Sequence, residues 1–70
     1  MKFEIKNLYE QLEKLDDITR ECIILFEISG FSIKEIMMIL KLSESVVKQR
    51  LSRGRKQLLE QINSHENKML

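Results

Sequence analysis

The chain has 70 residues, 43% of them hydrophobic and 33% charged, with a formal net charge of +1, a balance that excludes both a disordered tail and a membrane protein. Seventy residues make one domain around one small core, a size at which enzymes with preformed clefts are rare, so no enzymatic activity is expected. A single cysteine and a single histidine exclude an internal disulfide and a tetrahedral zinc site, and no metal or cofactor is expected.

No apolar run approaches the ~20 residues that a bilayer span needs. Met1-Lys2-Phe3-Glu4 leads into charge and not into the apolar stretch of a signal peptide. With a free thiol, these features predict a cytoplasmic protein with no membrane partner. Charge is unevenly spread. Residues 1–30 carry four Lys/Arg against seven Asp/Glu, whereas residues 31–70 carry eight against four. The stretch from Val46 to Lys56 holds Lys48, Arg50, Arg53, Arg55 and Lys56 and no acid. A basic stripe on a balanced small domain suits phosphate binding, although many charge runs are simply solvated helix faces.

Apolar spacing of 3.6 residues predicts a small all-α domain of four helices spanning residues 1–70. The first covers about 4–14, with Ile5, Leu8, Leu12 and Leu15 on one stripe. The second covers about 17–29. Asp16 caps it, Asp17 meets its positive end, and Ile18, Cys22, Leu25 and Ile28 form its apolar face. Gly30 closes it with a positive φ.

The third helix covers about 33–40. Ser32-Ile33-Lys34-Glu35 spells a capping box, in which hydroxyl and carboxylate each satisfy the other residue's backbone N–H. Ile33, Ile36 and Leu40 face inward. Ser43 and Glu44 start the fourth helix, about 44–62, whose buried arc contains Val47, Leu51, Leu58 and Ile62. Gly54 falls in that arc, where a missing side chain admits a neighbouring helix. Residues 63–70 are polar without periodicity and are expected to fray.

Two helices of about eight and eighteen residues, joined through Lys41-Leu42, have helix-turn-helix spacing. In that motif the first helix braces the second, whose N-terminal turns enter the major groove. The outward arc of the fourth helix carries Ser45, Gln49, Ser52, Arg53 and Lys56, with Lys48 and Arg50 on its flanks. Short polar groups and Gln read base edges, and Arg and Lys reach phosphates. Four neutralised phosphates would give a slope of log K against log salt of about −3 to −4.

Several segments together carry a family resemblance: Leu15-Asp16-Asp17-Ile18-Thr19-Arg20-Glu21, Gly30-Phe31-Ser32 with Glu35-Ile36, Leu40-Lys41-Leu42-Ser43, and Val47-Lys48-Gln49-Arg50-Leu51-Ser52-Arg53-Gly54-Arg55 followed by Leu58. This pattern resembles region 4 of bacterial RNA polymerase sigma factors, most of all the extracytoplasmic-function group, over roughly residues 12–60. The resemblance implies sequence-specific binding of double-stranded promoter DNA at the −35 element during transcription initiation. It also implies docking on the flap of the RNA polymerase β subunit, and coverage of these surfaces by anti-sigma proteins. Carried over, the base-reading positions are Ser45, Lys48, Gln49 and Ser52. Arg50, Arg53 and Arg55 match family arginines that make phosphate contacts or intramolecular bonds, and Lys56 joins them as a phosphate contact. Met37 stands where the family has a small residue, and Lys41 where a glycine is common in the turn. Phe26 stands at a place often basic, and Val46 at one often Thr.

Cys22 reads as a small core hydrophobe and not a redox sensor, since no resolving cysteine exists. The acids of the first half read as a solvated face. Met38, within the apolar run Ile36–Leu40, reads either as core or as part of a partner-binding patch. Its presence, with Met37, Phe26 and Val46, frames the alternative reading: the same fold as a protein-interaction module that binds polymerase or an anti-sigma regulator and has little DNA binding of its own.

Overall fold

The computed structural model describes the backbone of residues 5–69 and the side chains of residues 8–60. Four α-helices follow in order, with no strand among the described residues: α1 (Ile5–Glu13), α2 (Asp17–Ile23), α3 (Ile33–Leu40) and α4 (Glu44–Met69). The side chains of Ile5 and Ile62, and Glu4 as a helix start, lie outside the described residues. No helix among these residues is long and apolar enough to cross a membrane.

Local chemistry sets most boundaries. After α1, the Lys14 and Leu15 N–H groups turn back to the carbonyls of Gln11 and Leu12, both at 3.1 Å. Asp16 then caps α2, its carboxylate accepting from the Thr19 N–H at 3.2 Å. The capping box of α3 is complete: Glu35 N–H donates to Ser32 Oγ at 3.1 Å, and Ser32 N–H to Glu35 Oε1 at 2.8 Å. Gly30 adopts φ +80°. α4 runs to Met69, beyond the predicted end near Ile62. After Gly54 the chain has neither glycine nor proline, so no residue there obliges the helix to stop.

The second predicted helix is two structures in one. α2 passes without a break into a π-helical turn, Ile24–Ile28, which ends with Ser29 N–H donating to Ile24 O at 2.9 Å. The wider turn inserts a residue into the helical repeat and changes the phase of every side chain beyond it.

The core comprises Leu12, Leu15, Cys22, Ile23, Ile36, Val47 and Leu51, ringed by partly buried residues that include Leu8, Leu25, Phe26, Ile33, Met37, Leu40 and Leu58. This corrects the face predicted for the second helix. Ile18 and Ile28 are 42% and 50% exposed, whereas Thr19, Cys22 and Ile23 are buried. Cys22 is in the core and Leu25 packs against it as expected, but Thr19 and Ile23 are buried where Ile18 and Ile28 were expected. Two tertiary facts explain it. Thr19 tolerates burial because its hydroxyl is hydrogen-bonded on both sides, to Asp16 and to Arg50. Ile23 enters the space left by Gly54, where an added Cβ would meet Ile23 Cγ1 at 2.7 Å and Thr19 Cγ2 at 2.9 Å. Cys22 is fully buried, and that burial raises its thiol pKa.

Candidate nucleic-acid interface

The turn between α3 and α4 fixes the angle at which the last helix leaves the core. Lys41 takes the left-handed conformation, φ 57° and ψ 49°, and its N–H donates to Met37 O. Leu42 N–H donates to the same carbonyl at 3.1 Å, and its side chain packs on the core. Ser43 starts α4: its Oγ accepts from Val46 N–H at 3.3 Å, and its carbonyl accepts from Val47 N–H at 3.1 Å. Val47 below this turn is fully buried. A brace helix, a tight turn closed by one apolar side chain, and a longer second helix are the parts of a helix-turn-helix.

Rotation of α4 about its own axis is held by two arginines, one on each side of its buried arc. Arg50 Nη1 donates to Asp16 Oδ2 at 2.8 Å and to Thr19 Oγ1 at 3.3 Å. Arg55 Nε donates to Glu27 Oε2 at 2.6 Å, and its guanidinium carbon lies 5.2 Å from the centroid of the Phe26 ring. Asp16 precedes α2 and Glu27 lies in the π turn that follows it. The two ends of this α2–π segment therefore grip opposite flanks of α4. At about 100° per residue, Arg50 and Arg55 are roughly 140° apart around the helix. The arc between them on the far side from the core faces solvent.

That arc carries Ser45, Lys48, Gln49, Ser52, Arg53 and Lys56, all exposed. Lys48 Nζ pairs with Glu44 Oε2 at 2.8 Å, one turn back. Ser45 Oγ is 3.3 Å from Ser43 Oγ. Among the described residues Arg53 and Lys56 make no ion pair, so both ammonium and guanidinium are open to an anion. The four predicted phosphate residues thus fall into two kinds. Arg53 and Lys56 are open, and Arg50 and Arg55 are held by carboxylates within the fold. Met38 is 77% exposed on α3, with Ile39 at 48% and Phe31 at 37% nearby in sequence, so it belongs to the surface and not to the core.

Four residues around the site were not singled out for it by sequence reasoning: Thr19, Glu27, Glu44 and, in its tie to Arg50, Asp16. The Asp16 carboxyl is held below its ordinary pKa, first by the Thr19 hydroxyl at 2.7 Å, then by the Thr19 N–H and the Arg50 charge. The Glu44 carboxyl is also lowered, by its hydrogen bond to Lys48 and by the charge of that group. The Glu44–Lys48 spacing of four is a readable helical signal. The ties from Asp16 to Arg50 and from Glu27 to Arg55 cross 34 and 28 residues and have no local signature.

A family model described as Sigma-70, region 4 matches residues 5–58 of the chain. The match covers α1, α2, α3, the turn and every predicted DNA-contacting position on α4. A comparison with curated proteins found no match.

Proposed function

The chain belongs to the sigma-70 region 4 family, a non-catalytic family that binds the promoter −35 element in transcription initiation, and from that premise we propose that this domain reads a specific −35 sequence through α4. The observation that carries the reading is the exposed arc of α4, which combines short polar side chains with two open cations and is held in rotation by Arg50 and Arg55. In this proposal Ser45, Lys48, Gln49 and Ser52 meet base edges, and Arg53 and Lys56 meet phosphates. Arg50 and Arg55 orient the helix, and reach phosphates through N–H groups that their carboxylate partners leave free. Arg has five donors, so one guanidinium serves both roles.

The proposal extends to protein partners of the extracytoplasmic-function type: the flap of the polymerase β subunit and an anti-sigma protein. Met38 and its exposed neighbours on α3 support a contact of this kind. So does an apolar groove of about 400 Å³ between α1, the π turn and α4, lined by Leu8, Leu12, Ile23, Ile28, Leu58 and Leu59.

The test is a fluorescence titration of the chain against a library of short duplexes at two salt concentrations. Saturable binding that prefers particular duplexes is the expected result. A salt slope near about −1.8 corresponds to two neutralised phosphates, Arg53 and Lys56 alone, and a slope near about −3.6 to four, with Arg50 and Arg55 engaged. Arg53→Ala should weaken every duplex alike and make the slope shallower by about 1. Binding that is absent or blind to sequence would overturn the DNA reading and leave the protein-interaction module.

A further inference from the structure

Glu44 is the only acid on α4 before Glu60, and it stands in the first turn of the helix proposed to enter the major groove. Its carboxylate holds the Lys48 ammonium at 2.8 Å, and both side chains are more than half exposed. On the helix wheel Lys48 lies about 40° from Ser52 and about 60° from Ser45, so the pair borders the residues that face bases. An acid at the edge of a DNA-facing arc opposes a phosphate backbone, and a lysine already bound to that acid is a weaker phosphate ligand. The pair offers one acceptor and several donors side by side. Both A·T and G·C pairs present an amino donor beside acceptors in the major groove. A carboxylate is matched best to the cytosine amino group and a lysine to guanine O6 and N7, and a G·C pair offers both together.

We propose that Glu44 is a specificity-determining residue: it withholds Lys48 from non-specific phosphate contacts and admits it to a C·G step, where Glu44 accepts from the cytosine amino group and Lys48 donates to guanine. This rests on the reading of α4 as a DNA-reading helix. The ion pair is what turns a general cation into a conditional one. On an unrelated duplex Lys48 stays with Glu44, and the pair adds little net charge to the interface. At a C·G pair both partners exchange one hydrogen bond for another, so selection comes from a mismatch penalty elsewhere as much as from a gain at the right site.

The experiment compares wild type, Glu44→Gln and Lys48→Ala in the full chain. Each is titrated against the best duplex of the wild type, its single-base-pair variants, and an unrelated duplex, with thermal melting of each variant alongside. Glu44→Gln is expected to bind the unrelated duplex about 3- to 10-fold more tightly, through the released lysine charge. It should lose about tenfold discrimination at one C·G position while keeping preference elsewhere. Lys48→Ala should lose preference at the same position without the gain on the unrelated duplex. A Glu44→Gln variant that keeps the wild-type preference at every position overturns the proposal. So does one that weakens all duplexes equally, which would make Glu44 only a helix-start residue. If wild type itself shows no preference among duplexes, both this proposal and the DNA reading fall, and that failure is visible before any variant is made.

Discussion

Arg50 and Asp16 are joined by an ion pair of 2.8 Å between residues 34 apart in sequence. The same carboxylate caps α2 through the Thr19 N–H and receives the Thr19 hydroxyl. One aspartate thus starts one helix and fixes the rotation of another, and acid should loosen both together. Its pKa is lowered in the folded state, so the stability it contributes is present above the unfolded value of about 3.9 and is lost as pH falls through the folded value. Thermal melts should show a falling midpoint below about pH 4. Asp16→Asn keeps a good cap, because Asn caps as well as Asp, and should flatten that acid limb. Asp16→Ala removes the cap as well and should cost about 0.5–2 kcal/mol at neutral pH.

Gly54 is the contact point of α4 with Ile23. Alanine there would gain about 1 kcal/mol of helix propensity. It would also push a Cβ to 2.7 Å from Ile23 Cγ1 and 2.9 Å from Ile23 Cδ1, and such overpacking costs about 1–3 kcal/mol. Gly54→Ala should therefore lower the melting midpoint, with a net loss of about 1 kcal/mol. Adding Ile23→Ala removes both Cγ1 and Cδ1, and the double variant should lose less stability than the sum of the two single losses. Additive losses would show that the clash is relieved elsewhere.

Lys41 ends α3 in the left-handed conformation, which costs a residue with a Cβ roughly 1 kcal/mol. Lys41→Gly removes that strain and should raise the melting midpoint by a few degrees, after part of the gain is offset by the greater freedom of glycine in the unfolded chain. Lys41→Val, β-branched at a positive φ, should lower it.

Met38 is the most exposed large apolar side chain among the described residues, at 77%. Met38→Glu should leave stability within about ±0.5 kcal/mol of wild type, as surface substitutions do. In a binding assay with RNA polymerase core enzyme, the same variant should weaken capture if α3 contributes to the docking face. Unchanged capture would place that face elsewhere, with the groove beside Leu58 as the remaining apolar surface.

Much of this fold was legible in the sequence because its signals are local. The capping box of Ser32 and Glu35, the cap at Asp16 and the start at Ser43 each join residues three positions apart, and the positive φ at Gly30 belongs to a single residue. Helix periodicity and cap chemistry determine such features before any tertiary contact forms. The buried arc of α4 and the place of Gly54 within it followed from the same spacing. So did the exposure of Ser45, Gln49 and Ser52 on the opposite side.

Tertiary structure alone decided which face of α2 is buried and which arginines of α4 are committed within the fold. Thr19 looks polar in sequence and is buried because Asp16 and Arg50 satisfy its hydroxyl. Ile18 looks like core and is exposed, because Ile23 follows the space at Gly54 and sets the rotation of α2. Arg50, Arg53 and Arg55 all read as making phosphate contacts or intramolecular bonds, and their local sequence does not separate them. Only the packing of α2 across α4 places Asp16 and Glu27 against Arg50 and Arg55. Periodicity determines a helix and its faces from neighbours one turn away. The partner of a charged side chain depends on where a second helix comes to rest, and that is fixed by the shape of the assembled core.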